Sequence, residues 1–131
     1  MKNPFSVGDK KAFTHLVKEE DTPLFPEGKV HPVYSTYALA RDAEWTTRLF
    51  VLEMKEKDEN GIGTFVNVVH HSPALVGDEV IFYGTFESLN KNEITCSFEA
   101  KVGERLIASG STGQKILKKE KLQNIFSALK K

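Results

Sequence analysis

Cysteine is almost missing from this sequence: Cys96 stands alone among 131 residues. No disulfide can form within the chain, so an oxidising compartment is not implied. An excess of either charge is missing too, with 18 basic and 18 acidic residues. That balance withholds the basic field typical of nucleic-acid binders. No apolar run approaches the roughly 18–20 residues of a membrane-spanning helix. Met1–Phe13 carries lysines but no apolar stretch of signal-peptide length. Together these absences point to a cytoplasmic protein with neither nucleic acid nor membrane as partner.

Several chemistry-bearing motifs are also missing. There is no phosphate-binding loop, and Gly61-Ile62-Gly63-Thr64 lacks the third glycine of a dinucleotide fingerprint and leads into a strand. No serine sits in a nucleophile-elbow setting. His70 and His71 are neighbours on a strand and point to opposite faces, so they are a poor chelate for one metal ion. His15 and His31 fall in no metal spacing. The lysines of the C-terminal segment read as the solvated face of a helix.

What is present reads as one α+β domain over residues 1–131. A 40% hydrophobic, 27% charged chain of this length can bury a core unaided. Lys11–Lys18 alternates as a first strand. Glu20–Pro32 carries three prolines, Pro23, Pro26 and Pro32, and reads as an ordered connection or lid. Ser35 and Thr36 are N-cap candidates for a helix from Tyr37 to about Lys55, a stretch without Gly or Pro. Its second half, Trp45–Met54, is apolar on most sides, which predicts burial. Asp58–Gly61 ends it with turn residues. Strands are then expected at Thr64–His70, Glu79–Ser88, Ile94–Lys101 and Arg105–Leu117, with a hairpin turn at Leu89–Asn92. In the third of these, Ile94, Cys96, Phe98 and Ala100 share one face. A short helix, Lys118–Leu129, closes the chain with an apolar stripe of Leu122, Ile125, Phe126 and Leu129. An antiparallel sheet wrapped on one buried helix satisfies this order.

Two constellations carry potential chemistry. Ser35-Thr36 precedes Glu44 by nine and eight residues. A carboxylate on a buried helix needs a partner or a raised pKa, which suits a general base. Arg41 and Arg48, at i−3 and i+4, offer the plainer alternative of helix ion pairs. His70 shares a strand face with Val66 and Val68, and His71 the other with Phe65, Asn67 and Val69; one of the two can look toward the helix and Glu44. A surface histidine at a strand end is the plainer reading.

Taken in order, His31-Pro32-Val33-Tyr34-Ser35-Thr36-Tyr37, Glu44-Trp45, Gly61-Ile62-Gly63-Thr64, Val68-Val69-His70 and Gly77 resemble the hotdog-fold thioesterases, and specifically the fluoroacetyl-CoA thioesterase-like group. The resemblance runs from about Phe13 to the last strand. It implies a hotdog fold, a homodimer or higher homo-oligomer with sites near the subunit interface, and hydrolysis of an acyl-CoA without a cofactor. CoA enters as part of the substrate. It also implies Thr36, Glu44 and His70 as the catalytic set, with Gly63 lining the acyl pocket. Two substrate-binding positions depart from the fluoroacetyl-specific pattern. Val30 stands where that enzyme has an aromatic gate, and Gln114 where it has an arginine. A different acyl preference is therefore expected. A non-catalytic acyl-CoA-binding protein on the same fold is the alternative. A hydratase is disfavoured because the aspartate-then-histidine pattern of that group is missing.

Overall fold

The computed structural model describes residues 1–29 and 31–130; the expected gate position, Val30, lies outside them. Chain order is β1 (Lys10–Leu16), a 3-10 turn at Glu19–Asp21, β2 (Leu24–Phe25), β3 (Gly28–Lys29), α1 (Thr36–Met54), β4 (Glu59–His70), β5 (Glu79–Asn90), β6 (Glu93–Val102), β7 (Arg105–Lys118) and α2 (Lys119–Leu129). Five strands form one antiparallel sheet in the order β1-β5-β6-β7-β4, while β2 and β3 make a small hairpin. All five strands of the large sheet touch α1.

Strand periodicity builds the inner face. Val80, Phe82 and Phe86 of β5 alternate with solvent-side residues, as do Ile94, Cys96, Phe98 and Ala100 of β6. Two apolar clusters form against α1. One gathers Leu39 and Ala43 with Phe82, Phe98 and Ile107 near the start of the helix. The other gathers Phe50, Val51 and Met54 with Phe86, Cys96 and Ile116 near its end. Between them α1 presents Thr46 and Thr47, and their methyls meet Gly84, where an added Cβ would stand 3.3 Å from each. Small residues on both sides let the helix settle deep into the sheet. Burial also pushes the Cys96 thiol up to about 12, so it is packing rather than a nucleophile.

Four expectations need correction. Trp45 and Leu52 are 40% and 42% exposed, because the sheet covers one side of α1 and leaves the other open. Strand β4 starts at Glu59, inside the expected turn. Glu59 accepts from the Glu56 N–H and faces the N-terminal ammonium, so Glu56–Asp58 suffices to reverse the chain. The turn between β5 and β6 is tighter than expected, with Lys91 at φ 59°. Of the α2 stripe only Leu122 is buried; Ile125, Phe126 and Leu129 remain exposed.

Candidate active site

Ser35 caps α1. Its backbone is extended, and its Oγ accepts the Ala38 N–H at 3.1 Å. Thr36 is thereby released from capping and stands exposed in the first turn. Its Oγ1 meets Nε2 of His70 at 2.9 Å. His70 arrives from the end of β4 on the helix-facing side, the side from which Val68 reaches the core. His71 turns the other way and bonds Ser109 Oγ at 2.8 Å. A cleft of about 480 Å³ opens over the Thr36–His70 pair, walled by Phe25, Val33, Tyr37 and Pro73. The first N–H groups of α1 lack intrahelical acceptors, and the positive end of the helix dipole lies there.

Glu44 sits two turns along α1, about 12 Å from Thr36 at 1.5 Å per residue. No hydrogen bond joins it to Thr36, His70 or His71 among the described residues, so the expected meeting of Glu44 with one of the two histidines does not occur within one chain. Its half-buried carboxylate lies instead against Gly63, where a Cβ would come within 2.7 Å of Oε2. The ion-pair alternative does not occur either. Arg41 binds Asp42 and Asp21, and Arg48 binds the Gly61 carbonyl and Asn60 Oδ1, each at 3.1 Å.

A bulge decides this geometry. The β4–β7 register shifts between Gly63 and Phe65. Gly61 and Gly63 look at α1, and so do Val68 and His70, an odd seven residues from Gly63. Only an extra residue in the strand reconciles those positions with a period of two. Gln114, opposite Gly63 on β7, is 2% exposed and donates to Thr47 Oγ1 at 3.2 Å and to the Glu44 carbonyl at 3.4 Å. It is thus tied to the helical turn that carries Glu44.

A polar network beside the site went unread in the sequence. His15 Nε2 lies 2.7 Å from Asp21 Oδ2 and 3.5 Å from Asp42 Oδ2, and the Tyr34 hydroxyl donates to Asp42. Arg41 bridges both carboxylates at 2.9–3.1 Å. Burial by itself raises the pKa of Asp21. The bonds from the Lys18 N–H, His15 and Arg41 outweigh it and hold the group below the usual carboxylate value. One signal was available: Asp42 falls on the buried side of α1 beside Ala38 and Thr46, an apolar-face position holding a charge.

One antiparallel sheet enclosing a helix is the hotdog architecture, and similarity to known proteins places the chain in the thioesterase superfamily of that fold. More specifically, the chain belongs to the fluoroacetyl-CoA-specific thioesterase family, whose sequence model matches residues 17–120. A Thermus thermophilus hypothetical protein described as a thioesterase superfamily member is 35% identical. The alignment covers 97% of this chain and 94% of that one, with a TM-score of 0.93. The fluoroacetyl-CoA thioesterase FlK, 20% identical, superposes with a TM-score of 0.89 over 98% of this chain and 100% of its own. A hot-dog-like protein from Thermanaerovibrio acidaminovorans, 19% identical, gives 0.87 over 97% and 95%. These last two show the fold alone. No curated protein sequence matches the chain. No helix among the described residues is long and apolar enough to cross a membrane.

Proposed function

We propose that this protein hydrolyses an acyl-CoA thioester at a site shared between two copies of the chain. The observation that carries this is the 2.9 Å contact of Thr36 with His70 at the start of α1, beneath a cleft. The thioester carbonyl lies over the helix N-terminus, where backbone N–H groups and the dipole stabilise the oxyanion. Thr36 Oγ attacks the carbonyl carbon while His70 takes its proton. The C–S bond breaks, and His70 returns that proton to the CoA thiolate. Glu44 then takes a proton from a water whose oxygen attacks the acyl carbon. The C–O bond to Thr36 breaks, and the acyl group leaves as a carboxylic acid. The proton held by Glu44 passes to Thr36 Oγ and restores its hydroxyl. No metal or other cofactor enters.

Glu44 does not reach the pair in its own chain, and a second copy supplies it. Strand β4 is a 12-residue edge whose outer side has no partner among the described residues. Such an edge is a template for another strand. Beside it Trp45, Leu52, Phe65 and Val69 are exposed. Antiparallel pairing of two β4 strands about a two-fold axis sets the His70 end of one copy beside the Gly63 end of the other. Glu44 of each copy then faces Thr36 and His70 of its mate. A lone, buried Cys96 thiol suits the reducing cytoplasm.

The test is thiol release from short-, medium- and aryl-acyl-CoAs, with intact mass of the protein read alongside. Glu44→Gln should lose about 10²- to 10⁴-fold in turnover and accumulate an acyl adduct that Thr36→Ala never forms. Full activity in a folded Glu44→Gln removes Glu44 from the site. Acyl-CoA recovered intact from wild type makes the protein a binder.

A further inference from the structure

We infer that the network of His15, Tyr34 and Arg41 around the buried carboxylates of Asp21 and Asp42 is a positioning device that aims Thr36 at His70. Residues 34, 35 and 36 are pinned in three directions. The Tyr34 hydroxyl runs back to Asp42 in the second turn of α1. The Ser35 N–H donates to the Asp21 carbonyl at 2.8 Å, and its Oγ caps the helix. Thr36 turns outward to His70. The first two anchors lie in the core, so they determine where the third residue points.

The chemistry of the anchor is specific. Asp21 and Asp42 are 1% and 5% exposed, and no buried side-chain polar atom among the described residues lacks a partner. Replacing buried ionic groups by apolar residues of similar volume is often neutral or stabilising, so stability alone does not account for two carboxylates here. What the network adds is direction. The carboxylates receive donors from different elements: Asp21 from His15 of β1, the Lys18 N–H before the 3-10 turn and Arg41 of α1, and Asp42 from the Tyr34 hydroxyl and Arg41. The aromatic rings of Phe13 and Tyr34 flank His15 at 6.4 and 5.7 Å, which fixes its ring plane. The segment before α1 is thereby held to the helix in one register.

Only the kinetic arm of the test rests on the thioesterase reading. When Thr36 donates to Nε2, His70 carries its proton on Nδ1. Nitrogen-15 NMR of the imidazoles reports that tautomer without substrate, with His70→Asn identifying the signals. Tyr34→Phe keeps the ring and removes one anchor, and Asp42→Asn keeps the shape and removes the charge. In both, with the fold checked by thermal unfolding, His70 is expected to drift from the Nδ1–H form toward a mixture. In parallel kcat should fall about 10-fold or more, while KM for the best acyl-CoA stays within twofold. His70 resonances identical to wild type in folded Tyr34→Phe and Asp42→Asn overturn the inference, whatever the activity. If wild type hydrolyses no acyl-CoA, the thioesterase reading fails, and the NMR result alone decides the role of the network.

Discussion

Replacing Gly63 by alanine separates the stability of the fold from the chemistry of the site. The new Cβ would stand 2.7 Å from Glu44 Oε2 and 3.3 Å from Cδ. Both belong to the far end of a flexible side chain, so the carboxylate retreats and the backbone stays. Reaching ordinary van der Waals separation needs a displacement of roughly 0.5–1 Å. Alanine suits a strand better than glycine by about 0.5–1 kcal/mol, so Gly63→Ala should unfold at the same temperature as wild type or slightly higher. Catalysis should respond the other way. A reacting group moved by about 1 Å costs on the order of 10²-fold, or roughly 2.7 kcal/mol of barrier. The assay is steady-state thiol release beside thermal unfolding of the same samples. If Gly63→Ala hydrolyses the preferred acyl-CoA at the wild-type rate, Glu44 does no chemistry from its place against Gly63, and the assigned role collapses.

Three further outcomes follow from other contacts. Mixing Thr36→Ala and Glu44→Gln subunits one to one, under conditions that exchange them, should restore roughly a quarter of wild-type activity, because half the dimers are mixed and each holds one intact shared site; no recovery places the whole site in one chain. Gly110→Ala should destabilise by at least about 2 kcal/mol, because its Cβ would strike the Asn67 backbone oxygen at 2.0 Å, whereas Gly113→Ala should cost less because it meets the Phe65 ring, which can swing aside; equal losses in urea unfolding would contradict this. Asp21 is held below the usual carboxylate value in the fold, so its contribution is present above about pH 4, the unfolded value, and lost as pH falls through the folded one. The stability gap between wild type and Asp21→Asn should therefore narrow on acidification, and a constant gap from pH 7 to 2 would disprove it.

Local pattern was enough to read most of the elements. Alternation of Ile94, Cys96, Phe98 and Ala100 marked a strand with one buried face, and nineteen residues without glycine or proline marked α1. Both signals arise from periodicities of 2 and 3.6 that the backbone imposes on any sequence. The resemblance to the hotdog-fold thioesterases, rather than any local pattern, pointed to Thr36, Glu44, His70 and Gly63. The sequence could not say which of them meet. Thr36 reaches His70 because Ser35 takes the cap and β4 ends beside the start of α1. Glu44 finds Gly63 because a bulge shifts the face of β4, and a bulge is set by pairing with β7 rather than by any local preference. Trp45 is open and Glu44 half open because a five-stranded sheet covers only one side of a helix. The Asp21–Arg41–Asp42 network joins residues twenty apart, a contact that exists only once the chain before α1 folds back on it.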